Sequence, residues 1–309
     1  MARTLLSQGH RVRVLDNLLY GAEPLHDLYG EDGFEFIRGD VRSTETFRSA
    51  LEGADAVVHL AAIVGDPACS KQPTLALEVN QEASLAVFQA SQEVGVPRFV
   101  FASTCSNYGK MPEASSNLTE EAELAPVSLY AKTKVFAERA LLSGTVENSV
   151  SVTVVRFATL YGISPRMRFD LTVNEFTAQM FLRRKLILYG EQFWRPYLHV
   201  SDAARAVGMI LRAPPEKVAD QVFNVGDTKE NYQKGELVRL VQERIDEPVE
   251  VTRVARDEDP RDYAVSFEKI KEVIGFSITR TVENGIEEVL DALRKGLFTD
   301  CQNPRYRNC

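Results

Sequence analysis

The feature that most restricts the fold is an alternation. Short runs rich in β-branched and apolar residues, RVRVLD (11–16), FEFIRGD (34–40), DAVVHLAA (55–62), RFVFAST (98–104) and VTVVRFATLYG (152–162), alternate with stretches of helical periodicity near 43–52, 73–95 and 128–143. Strands buried on both faces read as near-continuous apolar runs, and a parallel connection needs a crossover long enough to hold a helix. The pattern predicts an α/β fold: a doubly wound parallel sheet with helices on both faces.

After about residue 163 the pattern loosens. DLTVNEFTAQMFLRRK (170–185) is helical. LILYG, PYLHV and VFNVG are short strands, with a helix from Ser201 to Arg212 between the last two, and further helices fall near 234–246, 267–274 and 282–296. Residues 1–163 are therefore expected to form the sheet domain, and 164–297 a smaller α+β lobe partly interleaved with it. The segment 298–309, ending CQNPRYRNC, is expected to be a poorly anchored tail.

The 309 residues carry a net charge of -8 with no basic run or stripe, which argues against a nucleic-acid partner. No apolar stretch approaches the roughly 20 residues that span a bilayer, and no apolar signal core opens the chain. A cytoplasmic enzyme is the expectation. Cys69, Cys105, Cys301 and Cys309 are widely spaced with no CxxC pair, so reduced thiols and no metal site are expected.

Several residues at strand ends can face a nucleotide cofactor. Asp16 closes RVRVLD, where a carboxylate can accept both hydroxyls of an adenosine ribose; it can equally cap the turn, as can Asn17. Asp40 and Val41 close the next strand, within reach of an adenine edge or as loop caps. Leu60, Ala61 and Ala62 follow His59 in HLAA, and the small residues there let backbone approach a flat ring system. His59 itself is expected to pack. Asn80, on a helix facing this region, can hydrogen-bond backbone beside the site.

The central constellation is STCSNYG (103–109) at a strand end followed by SLYAKTK (128–134) on a helix. Tyr130 and Lys134 are four apart and share a helical face. A tyrosine, with an ordinary pKa of about 10, is a poor base at neutral pH. An adjacent ammonium and a cationic nicotinamide favour its phenolate. The hydroxyl of Thr104 can hydrogen-bond the reacting oxygen.

The ordered set LDNL, GDV, HLAA, FAST…YG, YxxxK, RFxxxYG, R-x-Y-x-HVSD and FNVG resembles the extended short-chain dehydrogenase/reductase family, most closely its nucleotide-sugar epimerases and dehydratases. The likeness runs from residue 1 to about 297. It implies a Rossmann-like fold, NAD as cofactor, a nucleotide-diphosphate sugar as substrate and a homodimer. By position, Thr104, Tyr130 and Lys134 match the family's catalytic residues. Asn174, Arg195 and Arg261 match positions that bind the substrate diphosphate, and two guanidinium forks suit a pyrophosphate. Arg166 and Arg168 are weaker candidates.

Two departures bear on function. The family's 4,6-dehydratases carry an Asp-Glu pair directly after the catalytic Thr; here Cys105 and Ser106 stand there, which argues against dehydration. Epimerase-reductases of the family use a Cys at the place of Cys105, but the histidine that partners it there is replaced by Asn174. The family also opens with a strand and G-x-x-G-x-x-G, whose backbone N–H groups hold the cofactor pyrophosphate. No such motif occurs in this sequence, and MARTLLSQGH matches the end of the helix that follows it. The expectation is that the natural protein starts some 20 or more residues earlier, and that without that strand the runs 11–16 and 55–60 each lack a hydrogen-bonding neighbour. The sequence-level expectation for activity is a 4-epimerase, with a 4-keto-sugar reductase, a decarboxylase or a non-catalytic scaffold as the alternatives.

Overall fold

A computed structural model of the chain describes residues 1–110, 117–144, 150–256 and 261–308; Cys309 lies outside them. The chain divides into two compact units, one of residues 1–107, 128–156 and 204–223, the other of 108–127, 157–203 and 224–309.

In the first unit, helix α1 (Ala2–Ser7) leads into strand β1 (Val12–Asp16), then β2 (Phe34–Arg38), α2 (Thr44–Leu51) and β3 (Val57–His59). The helix expected over 73–95 is present and continuous, α4 (Pro73–Leu77) passing through a π-helical turn at Glu78–Glu82 into α5 (Ala83–Val94), with a short helix α3 (Asp66–Lys71) ahead of it. Helix α5 stops at Gly95, whose left-handed φ of 82° suits a residue without Cβ. Strand β4 (Arg98–Thr104), helix α6 (Leu129–Ser143) and strand β5 (Ser151–Phe157) complete the order. Ser128 caps α6 by accepting from the Ala131 N–H at 3.2 Å.

The parallel pairs β1–β2 and β3–β4 are in place. They belong to different sheets: β1–β2 is a two-stranded ladder, and β3 is the edge of a four-stranded sheet ordered β3-β4-β5-β9, with β9 spanning Gln221–Val225. Among the described residues no ladder joins β1 to β3. The two edges nevertheless share a hydrophobic layer, since Leu15 of β1 and Val57 of β3 both pack against the cluster of Phe47, Leu51, Val87 and Phe99.

The run 152–162 is two strands, not the one expected. Ala158 separates β5 from β6 (Thr159–Tyr161), and β6 joins another sheet, beside β8 (Trp194–His199). That sheet, ordered β10-β8-β6, belongs to the second unit, with β10 (Asn231–Gln233) antiparallel to β8. Helix α7 (Thr172–Arg183) precedes β7 (Lys185–Tyr189), which pairs in parallel with β11 (Glu250–Val254). In β7 Leu186 and Leu188 point inward while Lys185, Ile187 and Tyr189 are exposed, the period of two of a half-buried strand. Helices α8 (Val200–Arg212) and α9 (Pro215–Val218) follow in chain order and fall mainly in the first unit, and α10 (Lys234–Gln242), α11 (Glu268–Ile274) and α12 (Val282–Arg294) in the second. Tyr161, Met180, Leu188, Tyr197, Val238 and Ile286 lie in this unit's largest core cluster.

The C-terminal segment is anchored, contrary to expectation. Cys301 and Tyr306 are buried with Met167, Phe169 and Leu293. The Phe169 N–H donates to the Tyr306 carbonyl at 2.9 Å, and the Asn308 N–H to Asp170 at 3.0 Å. Polar residues dominate the segment by count, but its two aromatics, Phe298 and Tyr306, close edge-on against Phe169 with centroids 5.2 and 5.5 Å away. No helix among the described residues is long and apolar enough to cross a membrane.

Candidate active site

Strand β4 and helix α6 form a packed pair. The helix buries Ala131, Lys134, Val135, Glu138 and Leu141 along one face, a spacing of three and four residues. Thr104 ends the strand, largely buried, with its hydroxyl accepting the Ser106 N–H at 3.1 Å. Tyr130 sits half-buried on the first turn of the helix and packs against the cluster of Ile63, Cys69 and Val79.

Lys134 is 2% exposed, and its Nζ lies 4.6 Å from the centre of the Phe101 ring. Burial pulls its pKa down from 10.5 to about 8, with the Cys69 thiol opposing the shift. Among the described residues the ammonium has no hydrogen-bonding partner. A buried cation held only by an aromatic face is costly in the protein alone. Acceptors brought by a ligand, such as ribose hydroxyls, would satisfy it.

Beneath the pair lies a buried polar network. The Glu138 carboxylate, on a residue 1% exposed, accepts from Ser103 Oγ at 2.8 Å, from Asn107 Nδ2 at 3.2 Å and from Arg156 Nε at 3.0 Å, with Arg156 Nη2 also bonded. Arg156, on β5, is 4% exposed. Sequence reasoning missed this network. Its one legible sign is spacing: Glu138 continues the 130–134 step by four more residues.

Asn80 is buried in the π-helical turn and wholly engaged by the protein. Its Oδ1 accepts the Ile63 N–H at 2.8 Å, and its Nδ2 donates to the Ile63 carbonyl at 3.0 Å and to Thr133 Oγ at 3.1 Å. The Thr133 hydroxyl in turn donates to the Tyr130 carbonyl at 2.8 Å. Asn80 therefore shapes the wall after HLAA and supports the turn that carries Tyr130; its amide protons are spent. His59 packs as expected, with Nε2 3.0 Å from Ser84 Oγ and its ring stacked on Phe101. Burial drives its pKa down to about 3.

The other expected cofactor residues stay near the surface. Asp16 is exposed and accepts the Leu18 N–H at 2.7 Å, while the exposed Asn17 donates to Asp40 at 3.2 Å. Asp40 also accepts from the Arg42 N–H and guanidinium, and that hydrogen bonding holds its pKa near 2. Arg42 in turn pairs with Glu78 at 2.7 Å. The capping readings of Asp16 and Asp40 are thus realised, and Asp16 still presents an exposed carboxylate. Val41, Ala61 and Ala62 are half-buried and Leu60 is exposed.

In the second unit, Asn174 corrects an expectation. Its side chain is 1% exposed and accepts the Gly162 N–H at 3.0 Å while donating to the carbonyls of Gly162 at 3.3 Å and Arg168 at 2.9 Å. Both amide protons are committed, so what remains is an acceptor lone pair, which cannot bind an anion. Arg195 and Arg261 lie on adjoining segments. Arg195, 7% exposed, donates to its neighbouring Trp194 carbonyl at 2.6 Å and stacks 5.4 Å from the Tyr263 ring. Asp262 accepts the Trp194 N–H at 2.8 Å, which ties the exposed Arg261 beside β8. Arg168 is taken up by Asp170 at 2.9 Å, and Arg166 donates to the Arg307 carbonyl at 3.1 Å.

The strand–helix pair sets a tyrosine and lysine one helical turn apart and a threonine at the strand end, groups that can exchange a proton with an alcohol. The NAD dependent epimerase/dehydratase family matches residues 1–226, and the chain belongs to that family. It is similar to a dTDP-glucose 4,6-dehydratase of Streptomyces niveus, 27% identical over 296 residues, which are 93% of this chain and 85% of that one. A UDP-glucuronate 4-epimerase of Thermodesulfobacterium geofontis is 27% identical over 253 residues, 78% of this chain and 75% of the relative. Among solved structures, the UDP-glucose 4-epimerase of Thermus thermophilus in complex with NAD superposes with a TM-score of 0.80 at 26% identity, covering 95% of this chain and 94% of that one. The fold is of the Rossmann type.

Proposed function

We propose that the chain is an NAD-dependent nucleotide-sugar 4-epimerase. The observation that carries the reading is the chemistry around Thr104. The two residues after it, where dehydratases of the family keep an acid and a base, are Cys105 and Ser106. Cys105 is 1% exposed and its thiol donates to the Arg156 carbonyl at 3.2 Å, so it is a packed residue with no proton to exchange with a substrate. What remains is a tyrosine, a lysine and a threonine, which suffice for the proton transfers of reversible alcohol oxidation when NAD takes the hydride.

Lys134, Asp16 and the HLAA backbone are the residues that would hold NAD, and the unpartnered ammonium of Lys134 is the feature that fits a ribose. When bound, NAD supplies a hydride acceptor that returns the hydride to the opposite face of the sugar. Tyr130 takes the proton of the sugar 4-hydroxyl and later gives one back. Lys134 favours the Tyr130 phenolate through its charge, and burial beside an apolar cluster strengthens that coupling. Thr104 hydrogen-bonds the reacting oxygen. Arg195 and Arg261 are assigned to the diphosphate.

The test is incubation of the protein with NAD and a UDP-hexose, read by separation of the 4-epimers. Interconversion without net NADH supports the proposal. Stoichiometric NAD(P)H consumption on a 4-keto sugar, release of carbon dioxide from a uronic acid substrate, or loss of water would each replace it.

A further inference from the structure

We infer that Glu138 is a positioning residue for the proton-transfer site, acting through Ser103 to set the register of the Tyr130 helix against the Thr104 strand; the inference rests on the function proposed above. A buried ion pair contributes little net stability, because desolvation of both ions offsets their attraction, and well-packed apolar residues of similar volume often hold a core as well or better. The Glu138–Arg156 pair is buried at both ends, with side chains 2% and 5% exposed. What the carboxylate adds over an apolar contact is direction.

Three segments converge on it: β4 through Ser103 Oγ at 2.8 Å, the turn after β4 through Asn107 Nδ2 at 3.2 Å, and β5 through Arg156 Nε at 3.0 Å. Asn107 Nδ2 also donates to Ser103 Oγ at 3.0 Å, so the serine hydroxyl is fixed as acceptor and donor at once. Thr104 is the next residue on the strand. Tyr130, Lys134 and Glu138 are spaced by four along α6, so a fixed Glu138 fixes how far the helix is turned and slid along its axis. Lys134 over Phe101 and Glu138 on Ser103 make two ties, two residues apart on the same strand. The two oxygens of a carboxylate offer about four acceptor sites, enough for the serine, asparagine and guanidinium donors together.

Ser103→Ala removes one donor and leaves the ion pair intact; Ser103→Thr keeps the hydroxyl. Two readouts are taken: kcat and KM for the nucleotide sugar with NAD, and the ultraviolet titration of the Tyr130 phenol, isolated by subtracting the spectrum of Tyr130→Phe. Displacing a positioned group by about 1 Å costs up to roughly 100-fold. The expected result for Ser103→Ala is a kcat about 10-fold lower with KM changed less than about 2-fold, and a displaced Tyr130 titration, both restored in Ser103→Thr. A lowered melting temperature with kcat and titration unchanged would overturn the inference. Should Ser103→Ala not fold, Asn107→Ala removes only the 3.2 Å donor and is read the same way, unchanged values again overturning it. If the parent protein turns over no nucleotide sugar while the titration still moves in Ser103→Ala and not in Ser103→Thr, the proposed function fails and the positioning role stands.

Discussion

Strands β4 and β1 come from similar stretches of sequence and end in very different surroundings. β4 runs seven residues, lies between two hydrogen-bonded neighbours and buries nearly every position. β1 runs five, has one hydrogen-bonded neighbour and buries none fully. Thr104 ends the first, which packs against the helix carrying Tyr130 and Lys134, and Asp16, proposed above to meet a cofactor ribose, ends the second. The difference shows two ways of holding a strand in one unit: interior packing on both sides for β4 and, among the described residues, a single ladder for β1.

The comparison can be broken most severely at the helix packed on β4. Tyr130→Phe is expected to lower epimerisation by about 10²–10⁴-fold, the usual worth of general acid–base catalysis, while nucleotide-sugar binding by calorimetry persists. Near-full activity would remove the site. Next comes the network beneath. Arg156→Leu leaves Glu138 buried without its partner and should cost about 3–5 kcal/mol in denaturant unfolding, with the double change to Leu at both positions recovering much of it.

At the open edge the effect is a gain. A parallel strand followed by a glycine-rich turn, supplied to lie between β1 and β3, is expected to pair with both, raise the melting temperature and tighten NAD binding measured by titration. Equal NAD affinity with and without that addition would show that the edge plays no part in cofactor grip.

Lys134 gives a smaller effect with a defined sign. Its pKa falls from 10.5 to about 8 on folding, so between those values the unfolded chain holds a proton that the folded chain has released. Stability from this group therefore rises with pH across that window and is lowest below it. Lys134→Met should raise stability at pH 7 by about 3 kcal/mol, flatten that pH dependence and abolish turnover. The smallest change is expected at β1 itself: Asp16→Ala should alter stability by less than about 1 kcal/mol, through the lost Leu18 cap, while weakening discrimination against NADP.

Much of this was legible in the chain because it is written locally. Strand and helix periods, the four-residue step from Tyr130 to Lys134 and the strand-end position of Thr104 each depend on residues close in sequence. The Glu138 network was not, since Ser103, Asn107, Glu138 and Arg156 come from four segments, and a Glu late in a helix looks like a solvated residue until the fold buries it. Asn174 shows the converse. Its type suits an anion, but the backbone of Gly162 and Arg168 claims its amide first. The end of the chain was misjudged because composition counts residues, whereas anchoring depends on two aromatics, Phe298 and Tyr306, and two backbone hydrogen bonds.

The π-helical turn at Glu78–Glu82 has a practical consequence. Such a turn holds one residue more than an α-helix of the same rise needs. Removing one residue from that turn would leave ordinary α-helix and keep the inward aim of Val87 and Phe88, whereas the same deletion within α5 would rotate everything downstream by about 100°. Shortening is therefore tolerated best in the one turn that carries the surplus residue, provided Asn80 and its clamp on Ile63 are kept.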